Sequence, residues 1–238
     1  MMYLGGKTRL APEIAAAVLA CAPSRARLVE PFAGSCAITE ALAPHFSDVT
    51  ARDLHPDLIL MHTALQAGWV PPATLSEDEY RQLRDGPPSA LRGFAGFGVS
   101  FSGKWFGGYA RNSRGDDYCG QASRSASRRS AALKSVRFEC GGYASASVAA
   151  GDVVYCDPPY AGTTGYSGSF SPPDFWAKAD AWVDLGATVF VSEYTAPWHW
   201  LPVWTKPRKQ SLRGNAGGAE VVESLFMRID ALPHARSV

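Results

Sequence analysis

Residues 27–66 read RLVEPFAGSCAITEALAPHFSDVTARDLHPDLILMHTALQ, and this stretch decides the fold. Arg27-Leu28-Val29-Glu30 reads as a short strand that runs into the small-residue loop Glu30-Pro31-Phe32-Ala33-Gly34-Ser35. Residues 36–43 then read as a helix stopped by Pro44, and 49–52 as a second strand ending at Asp53. Residues 56–66 read as a helix with Pro56 in its first turn. Strand, loop, helix, strand, helix in this order opens a mainly parallel sheet flanked by helices, an α/β fold.

On the N-terminal side, the Ala-rich segment 8–20 reads as a helix. On the C-terminal side, Ser76-Glu77-Asp78-Glu79 has the spacing of a capping box for a helix toward Arg84, ended by Gly86-Pro87-Pro88. Residues 93–120 mix Gly and aromatics with weak periodicity and read as a loop-rich insert, and 123–135 as a polar helix. Strands resume at 136–140 and 153–156, followed by a Gly/Ser/Thr-rich loop at 161–171. A helix at 172–185, a strand at 188–191 and a last strand at 221–229, paired in a hairpin with 201–205, complete the chain. The implied division is one domain made of 1–66 and 136–238, interrupted by an insert at 67–135.

With 238 residues, 46% of them apolar, the chain can bury a substantial core. A net charge of +1 does not itself announce a nucleic-acid binder. The local distribution says more. Between 103 and 137, Lys104, Arg111, Arg114, Arg124, Arg128, Arg129, Lys134 and Arg137 face only Asp116 and Asp117, with Gly and aromatics interleaved. Such a run is either a solvated surface or a nucleic-acid footprint. A second basic cluster is Lys206, Arg208, Lys209 and Arg213. The five cysteines are scattered without a C-x-x-C pair, so neither a disulfide framework nor a metal site is expected, and a reducing, cytoplasmic setting fits. Neither a signal peptide nor a membrane-spanning run is read.

The apolar run 153–156 leads into Asp157-Pro158-Pro159-Tyr160. An ordinary strand-to-loop turn uses the same residue types. At the tip of a buried strand they suit a narrower task. The acid and the carbonyl before Pro159 can accept two hydrogen bonds from an exocyclic amino group, and the Tyr160 ring can stack on the base that carries it. That is machinery for methylating an amino nitrogen of a nucleobase turned out of its stack. The loop at 30–35 lets a ligand approach the backbone, and Asp53 can accept hydrogen bonds from ribose hydroxyls. Together they point to a nucleoside cofactor, while the lack of G-x-G-x-x-G argues against a dinucleotide. Tyr3-Leu4-Gly5-Gly6-Lys7 is either a loose terminus or a segment lying against a ligand's polar end.

These segments resemble the Dam-like DNA adenine-N6 methyltransferases, the D12 class. Residues 3–7 are similar to the family's N-terminal motif, 29–35 to its cofactor loop and 154–160 to its catalytic motif, in the family's order. Weaker echoes lie at 93–101, Phe170, 189–193 and 220–226. The resemblance implies a Rossmann-like methyltransferase fold with a small target-recognition insert, S-adenosylmethionine as cofactor and double-stranded DNA as partner. It implies no metal and no membrane, and a monomer or weak dimer is expected.

The resemblance also implies residue roles. Asp157, Pro158, Pro159 and Tyr160 are the catalytic set. Tyr3, Gly5, Lys7, Glu30, Pro31, Phe32, Gly34, Asp53 and Asp157 surround the cofactor, with Tyr3 and Lys7 near it or the flipped base. Lys104, Arg111, Arg114, Arg124, Arg128 and Arg129 contact DNA. The chain departs from the family in carrying Cys36 where a second glycine is usual, which is expected to tighten the loop. Tyr3 stands near the place of a usual Trp, and the insert lacks the family's GATC-reading hairpin. Cytosine-N4 methylation, a silent DNA-binding protein, or methylation of RNA or a protein amide are the alternatives. No nuclease motif is read, which suits a solitary methyltransferase as well as one half of a restriction-modification pair.

Overall fold

The computed structural model describes residues 3, 6–159, 170–209 and 220–231. In chain order, α1 is Ala11–Cys21, β1 Arg27–Glu30, α2 Ala37–Leu42, β2 Asp48–Asp53, α3 Pro56–Gln66, α4 Glu77–Arg84 and α5 Ala90–Gly93. Then follow α6 Tyr118–Ser130, β3 Val136–Cys140, β4 Val153–Cys156, α7 Pro172–Asp184, β5 Thr188–Glu193, β6 Trp200–Lys209 and β7 Glu220–Arg228. The strands form one seven-stranded sheet in the order β3-β2-β1-β4-β5-β7-β6. β1 to β5 are mutually parallel, and β7 enters antiparallel between β5 and β6. This is the mixed, mainly parallel Rossmann-like sheet that the strand order at 27–66 implies.

The sheet separates two cores by the period of two along its strands. Leu28, Tyr155, Phe190, Leu225 and Met227 pack with Ile14 and Val18 of α1 and Leu42 of α2. Val29, Val154, Val191 and Phe226 point the other way, onto Phe175, Ala179 and Trp182 of α7. Because both faces are covered, β4 and β5 are buried at every position. Their near-continuous apolar sequence follows from that. A third core joins Leu58, Met61 and Leu65 of α3 to Tyr80, Phe94, Phe97, Ala122 and Ala126. Residues 75–126 are therefore built onto α3 rather than standing apart.

Three expectations change. Residues 93–98 are not loop: α5 continues into a π-helical turn, Phe94–Gly98, that is buried throughout. The glycines permit it by contacts remote in sequence. A Cβ on Gly93 would lie 2.3 Å from the Asp57 carbonyl oxygen, and one on Gly96 2.2 Å from the Trp105 ring. Helix α6 begins at Tyr118 rather than 123, because the Asp117 carboxylate caps it by accepting from the Gly120 N–H at 2.7 Å. β6 runs beyond 201–205 in both directions, with an irregularity between Pro202 and Trp204. As an edge strand it tolerates Pro202 and Pro207, whose missing N–H groups interrupt no interior ladder. Among the described residues, no helix is long and apolar enough to cross a membrane.

Candidate active site

The chain leaves β1 toward β2 and β3, then crosses back to β4 and β5 on β1's other side. Ligand crevices of open α/β sheets form at such a reversal, beyond the carboxyl ends of the strands. Here the loop after Glu30 and the tip Asp157-Pro158-Pro159 flank the reversal, with Asp53 ending the adjacent β2. The sequence-predicted residues thus converge on one edge. Tyr160 and Gly5 lie outside the described residues.

The loop after β1 is a built structure. Gly34 has φ +47° and Cys36 φ +57°, both left-handed. Cys36 keeps the backbone hand that glycine adopts freely, at a cost of about 1 kcal/mol. Asp53 Oδ2 accepts the Gly34 N–H at 2.8 Å, and Oδ1 accepts the His55 N–H at 2.9 Å. Burial raises the Asp53 pKa, opposed by these backbone hydrogen bonds. His62 Nε2 lies 2.9 Å from the Gly34 carbonyl oxygen, and burial lowers its pKa to about 4. The neutral ring therefore donates from Nε2. The Tyr3 ring covers Gly34, where an added Cβ would meet it at 2.8 Å, and lies 5.0 Å from the Phe97 ring. Phe32 stacks on Tyr143 at 5.5 Å and meets Phe175 edge-on at 5.7 Å. Pro31 is buried.

The acids at this edge are not equivalent. Glu30 is buried and receives a hydrogen bond from the Thr39 hydroxyl. Burial raises its pKa to about 8, with the charges of Asp157 and Asp53 adding to the shift, so it is largely protonated at neutral pH. Asp157 is 21% exposed, and its Oδ1 sits 3.1 Å from Lys7 Nζ. The same ammonium lies 3.0 Å from Oε1 of the fully buried Glu223. Burial pushes the Lys7 pKa down, but Asp157 and Glu223 more than reverse it, and the net shift is upward. Lys7 is therefore a cation held against Asp157. Glu223 had no local signal in the sequence: it is one acid in a strand, and its partner lies at the other end of the chain.

Of the expected DNA contacts, Lys104, Arg111, Arg114, Arg124 and Arg128 are exposed. Arg111 pairs with Glu77 at 2.8 Å and Arg124 with Asp117 at 3.4 Å. Arg129 is a correction. It is buried, donating from Nη1 to the Ser35 carbonyl at 2.6 Å and from Nη2 to Thr8 Oγ1 at 2.9 Å, and its Nε pairs with Glu40 at 2.8 Å. A guanidinium so engaged holds α6 to the loop after β1 and is not available to a phosphate. The signal was present. Cys119, Ala122 and Ala126 are spaced on one helical stripe, and 129 falls on it, whereas 124 and 128 do not. A cleft of about 570 Å³ separates residues 6–10 from α6, lined among others by Tyr3, Lys7, Arg9, Gln121, Arg124 and Arg128. The exposed Arg9 is a further cation there.

A doubly wound sheet, a glycine-bearing loop after β1, an acid ending β2 and an Asp-Pro-Pro tip on β4 make up the α/β fold and the edge at which the predicted residues meet. The D12 class N6 adenine-specific DNA methyltransferase family model matches residues 3–81 and 118–177. The chain belongs to this family, whose reaction is methylation of adenine N6 in DNA with S-adenosylmethionine as methyl donor. No curated protein sequence matches it. Among solved structures it is similar to the tRNA methyltransferase TrmI from Aquifex aeolicus, at 10% identity and TM-score 0.41, over 93% of this chain and 68% of that one. It is similar to precorrin-6y C5,15-methyltransferase from Geobacter metallireducens, at 9% identity and TM-score 0.41, over 91% and 88%. A third is an rRNA methylase from Streptococcus thermophilus, at 10% identity and TM-score 0.38, over 94% and 97%.

Proposed function

We propose that the protein methylates adenine N6 at a specific sequence in double-stranded DNA, after turning the base out into the crevice between the β1 and β4 loops. The observation that carries this reading is Asp157 at the end of β4, partly exposed and facing the Lys7 ammonium. The adenine amino nitrogen is a poor nucleophile because its lone pair is delocalised into the ring. An ionised Asp157 and the Pro158 carbonyl accept its two hydrogens, draw it toward tetrahedral geometry and localise that lone pair. S-adenosylmethionine, when bound, supplies an electrophilic methyl group on a sulfonium. Asp157 is then placed to take the proton that N6 gives up, and no protein nucleophile is required.

Gly34 and Phe32 line the cofactor side of the crevice in this reading. Asp53 holds the ribose through the lone pairs that its two backbone N–H bonds leave over. Tyr160 stacks on the flipped base. Segment 67–135 recognises the target, Lys104, Arg111, Arg114, Arg124 and Arg128 meet phosphates, and a few reach base edges. The protein acts in the cytoplasm as a monomer or weak dimer. The test is nucleoside analysis of DNA treated with protein and donor, which yields N6-methyladenine. Finding N4-methylcytosine instead would replace the reading. Asp157→Ala is expected to abolish transfer while leaving DNA affinity within a few-fold, and near-normal turnover in that variant would refute the mechanism.

A further inference from the structure

We infer that Glu223 is a positioning residue for the methyl-transfer step, acting through Lys7 to keep the Asp157 carboxylate available to the substrate amino group. The inference rests on the role proposed for Asp157. β7 runs antiparallel to β5 and pairs Ser224 with Glu193, so Glu223, one residue earlier, arrives at the carboxyl end of β5, on the active edge of the sheet. There it is fully buried, with the Lys7 ammonium 3.0 Å away, and that ammonium is 3.1 Å from Asp157 on the other side. One cation is thus shared between two carboxylates carried by separate strands.

A buried carboxylate is costly to keep charged unless paired, and Glu223 has Lys7 for that purpose. The sharing has a consequence for Asp157. A lysine held by one carboxylate alone would turn its donors onto it and compete with the adenine amino group for its lone pairs. Glu223 draws part of the ammonium's hydrogen bonding to itself. Lys7 then favours the charged form of Asp157 without occupying all of its acceptor capacity. The other ionisable groups coupled to this cluster are Glu30 at the end of β1 and Tyr155 on β4, both buried, with Asp53 acting in turn on Glu30. Burial and the neighbouring negative charges raise the pKa values of Glu30 and Tyr155, so neither replaces Glu223 as a counter-charge at neutral pH.

The experiment compares Glu223→Gln, Glu223→Asp and the wild-type protein by steady-state methyl transfer across pH and by calorimetric titration with S-adenosylmethionine. Glu223→Gln keeps size and hydrogen-bonding ability but removes the charge. Its kcat is expected to fall about tenfold, with KM for DNA and cofactor affinity within about twofold. The basic limb of its pH–rate profile is expected to move to lower pH, because Lys7 loses one of the two carboxylates that hold its proton. Glu223→Asp, which retains the charge, is expected to return the limb toward wild type. An unchanged kcat and basic limb in Glu223→Gln overturns the inference. So does a parallel loss of cofactor affinity, melting temperature and kcat with the limb unmoved, which marks a purely structural acid. A wild-type protein that makes no N6-methyladenine refutes the reading of Asp157 itself, before the variants are compared.

Discussion

Arg128 and Arg129 are neighbours on α6, yet they should fail in opposite ways when truncated. Arg129 is 8% exposed at its side chain and binds the Ser35 carbonyl, Thr8 Oγ1 and Glu40. Arg129→Ala leaves a buried carbonyl and a carboxylate without their partner. Breaking a buried ion pair costs about 3–5 kcal/mol. Glu40 is 36% exposed and regains water, which lowers the figure. The Ser35 carbonyl adds roughly 1–3 kcal/mol if it stays dry. A net loss of about 2–4 kcal/mol follows, or roughly 10 °C in melting temperature for a chain of this size. Ser35 belongs to the loop after β1, so cofactor affinity should fall with stability. Arg128→Ala should leave the melting temperature within about 1 °C and instead lower the slope of log affinity for DNA against log salt by about 0.9. Arg129→Lys, with charge but no planar fork, should fall between wild type and Arg129→Ala in stability. The measurements are thermal denaturation, calorimetric titration with S-adenosylmethionine, and DNA binding from 50 to about 200 mM salt. An Arg129→Ala protein that melts like wild type but loses salt slope would refute this assignment.

Gly34→Ala should destabilise by about 2–3 kcal/mol, part from the left-handed backbone and part from collision with the Tyr3 ring. In a Tyr3→Ala background the cost should drop to about 1 kcal/mol, and equal costs in both backgrounds would show that Tyr3 does not cover the loop. Asp53→Ala should weaken S-adenosylmethionine binding by calorimetry and also loosen the loop, because the Gly34 N–H loses its acceptor; unchanged affinity would remove Asp53 from the site. Glu30 carries a pH signature. Its folded pKa, about 8 through burial, exceeds that of the unfolded chain. Between roughly pH 4.5 and 8 the native state therefore binds more protons than the unfolded one, and stability falls as pH rises through that window. Glu30→Gln should flatten that fall and be more stable than wild type by up to a few kcal/mol at pH 8.5, as read by urea denaturation, while the two proteins converge near pH 4.5.

What the sequence disclosed and what it hid follow a physical divide. Local signals were legible. Pro56 opens α3 and Ser76 caps α4 with Glu79, since both depend on neighbours within one turn. Asp53 and Asp157 stand at strand ends because apolar runs stop there. The hidden features depend on contacts between distant residues. Gly93 and Gly96 read as loop residues until Asp57 and Trp105 are seen against them, and then each is a glycine that close packing requires. Arg129 reads as one more cation in a basic run when that run is read by charge alone. Read by helical phase with Ala122 and Ala126, Arg129 lies inward and Arg128 outward. Lys7 and Glu223 meet only because β7 is threaded beside β5.

The matched family segments and the packing divide the chain at different places, and this bears on how recognition reaches the chemistry. The family match stops at 81 and resumes at 118, leaving 82–117 unmatched. The core beneath that unmatched segment nevertheless includes Tyr80 of α4 and Cys119, Ala122 and Ala126 of α6, together with α3. The most individual part of the chain therefore rests on helices that belong to the family pattern. Of these, α6 has two working faces. Arg124 and Arg128 look toward the cleft and solvent, while Arg129 grips the carbonyl of Ser35, next to Gly34 in the loop that Asp53 also holds. If Arg124 and Arg128 engage a phosphate, Arg129 on the same helix is the group that would pass a shift of α6 to that carbonyl. Any such coupling must appear as a difference in cofactor affinity between free and DNA-bound protein, by linkage. Arg129→Ala should lower that difference along with stability, whereas Arg128→Ala should weaken DNA binding and leave the grip on Ser35 intact.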